Sequence, residues 1–485
     1  MNKYKTINKN YIYLIISSIS IVIFNLNFSI YNDDFWWLDY CSKSFNTTDF
    51  TDNRIIYDSL ICLLFNKLNY KIFLYRIFII ILLIISCFLI LKLIRNFNIL
   101  FLNKKSDKNL DIFIISLFLI FPGMPSITAW GSSIVPISFF CLYIFSTNLI
   151  FNINSRDTII YFIIQTVLAL QYEIYAGLIL TNIFIFYFLY KKKLLLKKNF
   201  QKIIITKLII FFLVFLIILN VSNKNIEFVF NYENIYKILL LDIYYLINSF
   251  ILTFNYFSII ILLLSLFLIT KFKSIIPILK KKYFIFYFLS IIITIAIYNL
   301  GGYPISFSGL NGRVFLIPAL YFVFIFYFIL NFLNLKNRKN FKFLLYTFIL
   351  FGYLNSSYYF YELSKNQKKS FDKISKFISL NRSTKNIFLF TDLKTSFYEI
   401  NLSSYINQLH NLNLENVYIY NLNERCIIIK GENISIYSKK SNFKKFISKK
   451  KDNLNFKLQT IKMETPTIVI KEKKFNKKNF NNCES

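Results

Sequence analysis

The chain has 485 residues, is 56% hydrophobic and 20% aromatic, and has a mean hydropathy of +0.51, which excludes an ordinary soluble globule and points to a multi-span membrane protein. Its formal charge of +33 rests on Lys in a chain equally rich in Ile, Phe, Tyr and Asn, the composition of a very AT-rich genome, so the basicity does not argue for nucleic acid binding. One His and six Cys with no C-x-x-C pair exclude a zinc or haem site.

In chain order, MNKYKTINKN and YIYLIISSISIVIFNLNFSI have the basic and apolar parts of a signal peptide, but the apolar part is long and lacks a small-x-small cleavage site. They read as a retained first span over 11–30. Further apolar runs fall at 72–94, 110–122, 134–151, 158–170, 174–190, 203–221, 249–270, 283–300, 313–333 and 342–361. About eleven transmembrane helices over residues 1–361 are therefore predicted, with 232–248 as an interfacial piece. Beyond Tyr361, a polar helical stretch, SFDKISKFISL, precedes the apolar strands NIFLFTD, NVYIYNL, RCIIIK and PTIVIK. That order predicts a small soluble α/β domain over 362–470, followed by a disordered basic tail over 471–485.

Charge fixes the expected orientation. With the N-terminus inside, the inner segments carry 25 Lys and Arg, among them the run KKKLLLKKNFQKIIITK, whereas the outer segments of the membrane portion carry eight. This is the positive-inside bias. Ten of the 13 acidic residues in the first 361 positions fall outside, which the bias does not require. An odd span count places the C-terminal domain outside too. Cys41 with Cys62, and Cys426 with Cys483, are then candidate outer-side disulfides, with plain free thiols as the default.

Ionisable groups at a membrane are costly unless they face a cavity or one another, and four outer clusters qualify. YNDDFWWLDY holds Asp33 and Asp34. Two adjacent carboxylates need a nearby cation to ionise together, which suits general-base work or a divalent cation such as Mg or Mn. Trp36 and Trp37 read equally as interface anchors or as faces for a sugar ring. In TDNRIIYDSLICLLF, Arg54 and Asp58 lie one helical turn apart, as an ion pair or with Arg54 on a phosphate. In ALQYEIYAG, Gln171, Tyr172 and Glu173 interrupt two apolar runs and suggest a cavity wall. GGYPISFSGLNGR holds four of the nine glycines and ends in Arg313, as a backbone that comes close to a ligand would. FPGMPSITAWGSS is a similar outer loop. The four clusters predict an outward pocket for a substrate with a phosphate and sugar hydroxyls.

With these motifs the chain resembles the multi-span glycosyltransferases of the GT-C class, and within it the serotype-converting glucosyltransferases that decorate O-antigen. Asp33-Asp34 matches their acidic pair after the first span, and Asn53-Arg54 matches their Gly-Arg with Asn in place of Gly. Gln171-Tyr172 has their Tyr-Gln in reversed order. The resemblance covers about the first 190 residues. It implies a GT-C-like membrane fold in a bacterial inner membrane, and transfer of a sugar from a polyprenyl phosphate to a surface glycan or lipid-linked acceptor. Asp33 or Asp34 would be the base, and Arg54 or Arg313 would hold the lipid phosphate. Two alternatives stand beside it: an O-antigen polymerase or ligase, which would need more outer arginines, and a non-enzymatic flippase or transporter. The latter would need polar residues midway through several spans, for which Gln165, Asn182 and Asn248 are the candidates.

Overall fold

A computed structural model describes residues 9–26, 37, 41, 55–67, 72–102, 107–129, 131–152, 154–171, 174–221, 243–244, 246–255, 258–260, 282–300, 315–333 and 335–380, and seven strands beyond them. The chain divides into two compact units. The first comprises Met1–Phe28, Thr48–Ile61 and Lys71–Phe360; the second comprises Ser29–Thr47, Cys62–Tyr70 and Tyr361–Ser485.

The first unit is helical. In chain order it contains α1 (Lys9–Leu26), the first half of α2 (Ile55–Lys67), α3 (Ile72–Phe97) continued by a π-helical turn (Asn98–Leu102), α4 (Lys108–Leu119), α5 (Met124–Ala129) and α6 (Ile134–Leu149). After these come α7 (Ser155–Gln171), α8 (Ile174–Lys191), α9 (Lys197–Val221), α10 (Lys282–Leu300), α11 (Leu316–Phe332) and the start of α12 (Leu335–Leu380). Residues 246–254 are helical as well. The Ile and Phe runs have high strand preference in isolation, yet they lack an alternating polar face. A helix satisfies every interior backbone group within the segment itself. Pro136 and Pro318 fall in the first turns of α6 and α11, where a missing N–H costs nothing.

Polar residues define the helix starts. Asp107 caps α4 by accepting from the Asn109 N–H at 3.0 Å. At α7, the Asn154 side chain accepts from the Asp157 N–H at 2.6 Å while the Asp157 carboxylate accepts from the Asn154 amide at 3.1 Å, a reciprocal capping arrangement.

Within this unit α3 packs on α6, α1 on α4, α8 on both α9 and α10, and α10 on α11. Hydrogen bonds cross these contacts. Ser17 and Tyr346 share one at 3.0 Å between α1 and α12, and Asn148 of α6 donates to the Leu89 carbonyl of α3 at 3.1 Å. The distribution is inside-out for a water-soluble bundle: Ser17, Asn182 and Lys207 are buried, while Ile15, Ile19 and Ile23 of α1 and Phe78, Ile81 and Phe88 of α3 are exposed. Two stretches, Phe73–Leu100 and Ile134–Asn152, are long and apolar enough to cross a membrane. Asn10–Phe24, Phe284–Ala296 and Leu316–Phe332 are shorter apolar helices.

The outer loop expected at 121–133 is instead a packed element. Residues 121–129 are all buried, and six of them form α5, because Pro125 suits a first helical turn and Ile127 has a core to enter.

In the second unit, β1 (Asn386–Thr391) pairs in parallel with β2 (Asn416–Asn421) and β6 (Thr467–Lys471), giving the order β2-β1-β6. An antiparallel sheet has the order β5-β4-β3-β7, from β3 (Arg425–Lys430), β4 (Asn433–Ser438), β5 (Lys457–Lys462) and β7 (Asn479–Asn481). β7 falls inside the stretch expected to be a disordered tail. Its hydrogen bonding to the edge of β3, with Phe480 opposite Ile429, is a long-range pairing that the Lys- and Asn-rich composition conceals. Cys41 and Cys62 are disulfide-bonded, which corrects the free-thiol default for that pair. Cys483 lies outside the described residues.

Candidate functional site

The expected site residues divide into two groups. Asp33, Asp34, Trp36, Arg54, Tyr172, Glu173 and Arg313 lie outside the described residues. Trp37, Asp58 and Gln171 lie within them, and each is 7% exposed. Trp37 belongs to the second unit, and its burial makes it neither an open interface anchor nor an open face for a sugar. Asp58 lies in the first turn of α2, where the helix dipole favours a carboxylate.

Gln171 ends α7, and its Oε1 accepts a hydrogen bond from the Ile56 N–H at 3.0 Å. Ile56 is the second residue of α2, so its N–H is one of the four that no helix satisfies internally. The side chain of Gln171 thus caps a helix 115 positions away in sequence. Two of the four outer clusters are brought together by it: the stretch carrying Arg54 and Asp58, and the stretch carrying Gln171, Tyr172 and Glu173.

Two buried cations were not recognised as site candidates in the sequence. Arg76, in the second turn of α3, is 2% exposed, and its Nη1 donates to the Thr128 carbonyl of α5. Its signal was an arginine inside an apolar run, IFLYRIFIII, rather than at its edge. Lys207, the last member of the basic run KKKLLLKKNFQKIIITK, is 1% exposed. Its Nζ donates to the Tyr161 hydroxyl and, at 3.2 Å, to the Ile179 carbonyl. The same ammonium lies 4.7 Å from the Tyr161 ring centre and 5.2 Å from that of Phe186, within cation–π range.

From Lys207 a polar chain runs through the bundle interior. Asn182 Nδ2 donates to the Tyr161 hydroxyl at 3.2 Å, the Tyr143 hydroxyl donates to Asn182 Oδ1 at 3.3 Å, and Tyr143 and Tyr321 share a hydrogen bond at 2.8 Å. Beside it, Gln165 donates to Ser146 at 2.6 Å. Gln165 and Asn182 are therefore interior polar groups, whereas Asn248 is exposed.

Chemically, Asp58, Arg76 and Gln171 supply a carboxylate, a guanidinium and an amide carbonyl, each of low exposure. Hard-oxygen metal binding would fall to Asp33 and Asp34. Among the described residues no group of three or more His, Cys, Asp or Glu is placed to hold a metal ion. No protein-family model, no curated protein and no solved structure matches the chain.

Proposed function

We propose that the chain is a bacterial inner-membrane glycosyltransferase that transfers a sugar from a polyprenyl phosphate to a surface glycan or lipid-linked acceptor on the outer face. In this reading about eleven helices span the membrane with the N-terminus cytoplasmic, and the β-rich second unit includes an extracytoplasmic α/β domain. The inside-out distribution of apolar side chains on α1, α3 and α9 supports the membrane assignment, since lipid replaces water as the neighbour of exposed Ile, Leu and Phe.

The observation that carries the reading is the Gln171–Ile56 bond, which unites two outer motifs from separate parts of the sequence. Asp33 or Asp34 takes the proton of the acceptor hydroxyl. The freed oxygen attacks the anomeric carbon, and the bond from that carbon to the phosphate oxygen breaks, so the lipid phosphate leaves with the electron pair. Arg54 or Arg313 stabilises the charge on that phosphate, where electrostatic help is worth most. Asp33 and Asp34 are also the groups that would hold a divalent cation. Trp36, Asp58, Gln171, Tyr172 and Glu173 complete the proposed substrate contacts.

Asp33→Asn and Asp34→Asn, each expressed at wild-type level, are the test. Loss of the modified surface glycan by at least about 100-fold in one of them is the expected result for a lost general base. Undiminished transfer in both sinks the assignment. A second reading, a transporter of lipid-linked glycan, draws on the interior chain from Lys207 to Tyr321; flux into vesicles with no covalent product would favour it.

A further inference from the structure

Lys207 is the eleventh residue of α9, about 15 Å along the axis from the first. The apolar run of this helix begins at 203, so Lys207 sits about 6 Å inside a hydrocarbon layer about 30 Å thick. A lone ammonium there is costly, and such groups pair or lose their charge. Among the described residues no carboxylate approaches it. The elements packed on α9 are α7 and α8, and the groups they turn towards Lys207 are the Tyr161 phenol, the Ile179 carbonyl and the Phe186 ring. The other titratable groups in the chain are Tyr143 and Tyr321, reached through Asn182.

The Tyr161 oxygen is the telling atom. It accepts from Lys207 Nζ on one side and from Asn182 Nδ2 on the other. Two donors converge on one phenol oxygen, and among the described residues the amine is the neighbour placed to take the phenol's own proton. Such an arrangement suits an oxygen that has given its proton away, or one that donates to a neutral amine.

We propose that Lys207 and Tyr161 form an intramembrane proton-binding site: the folded protein holds one proton between the amine and the phenol, and uptake of a second proton opens the pair. The balance is simple. Unfolded, the two side chains carry an ammonium and a phenol hydroxyl; folded, they are an ammonium with a phenolate or an amine with a phenol, and one proton has gone to water. The folded pair is neutral, which is what a bilayer interior favours. Protonation leaves an ammonium beside a neutral phenol inside the hydrocarbon layer, and weakens the attachment of α9 to α7 and α8. The proposal rests on the membrane reading but not on sugar transfer, so failure of the Asp33 and Asp34 test would leave it standing.

The experiment is reversible unfolding of the purified full chain in denaturing detergent, at several values between about pH 6 and 9. A proton released on folding makes the equilibrium favour the folded state about tenfold more for each unit of rising pH. Wild type should be steeper by that factor than Lys207→Met and Lys207→Gln, two variants offered in case one does not fold. Tyr161→Phe, which keeps the ring and removes the shared oxygen, should be less stable than Lys207→Met. Equal pH slopes in wild type and either lysine variant would overturn the proposal, as would a Tyr161→Phe protein as stable as wild type, which is the result expected if the pair served packing alone.

Discussion

A helix that starts inside a protein must find acceptors for its first N–H groups, and α2 takes one from a residue at the far end of α7. The bond from Ile56 to Gln171 therefore caps α2 and, in the proposed function, also joins two motifs of the site. Gln171→Leu keeps comparable bulk and removes the acceptor of a part-buried donor, which costs about 0.5–1.5 kcal/mol. Gln171→Glu retains a side-chain acceptor and should recover most of that loss, by the same unfolding measurement in detergent. Equal stability of wild type and Gln171→Leu would show that the N–H finds water instead. The sequence marked Gln171 because Q-Y-E is a poor solvated turn between apolar runs. It did not mark Arg76 or Lys207, because a basic residue within an apolar run looks the same whether it faces headgroups, water or the bundle interior. Only burial and named partners separate those cases.

At the scale of elements, the apolar runs were legible: each of α1, α3, α4 and α6–α11 overlaps a run long or apolar enough to be read as a span. The strands β1, β2, β3 and β6 coincide with NIFLFTD, NVYIYNL, RCIIIK and PTIVIK. What was not legible was how elements approach each other. Gly352 of α12 is buried, and a Cβ there would come within 2.4 Å of Phe254 Cε1. The Phe254 ring stacks on Phe348 of the same helix at 4.2 Å, and Asn355 donates to the Thr253 carbonyl at 2.9 Å. Alanine is favoured over glycine in a helix by about 1 kcal/mol, so in the absence of this contact Gly352→Ala would stabilise. Overpacking costs about 1–3 kcal/mol and should reverse the sign, giving a net loss of stability. Phe254→Leu in the same chain should relieve the clash, so that the double variant is more stable than the sum of the two single changes. A stabilised Gly352→Ala protein would mean that the ring moves aside freely.

On the scale of the whole molecule, orientation follows from two independent kinds of observation. Positive charge collects in alternate connections between the apolar runs, which favours the proposed orientation with the N-terminus inside. Separately, Cys41 and Cys62 are joined across 21 positions, and disulfides persist in oxidising compartments rather than in the bacterial cytosol. Both support the proposed orientation, in which the stretch between α1 and α3 is outside, where YNDDFWWLDY must lie if its carboxylates act on a surface acceptor. A membrane-impermeant thiol reagent applied to intact spheroplasts should therefore leave Cys41 and Cys62 unmodified until a reductant is added, and should label both afterwards. Labelling confined to inside-out vesicles would reverse the topology, and with it every outer-face role assigned to Asp33, Asp34, Arg54 and Arg313. The same bond should also matter energetically: closing a loop of this length in the unfolded chain is worth about 3 kcal/mol. Cys41→Ser with Cys62→Ser should lower stability by that order while leaving the pH slope due to Lys207 intact, because the pair it depends on is built from α7, α8 and α9 alone.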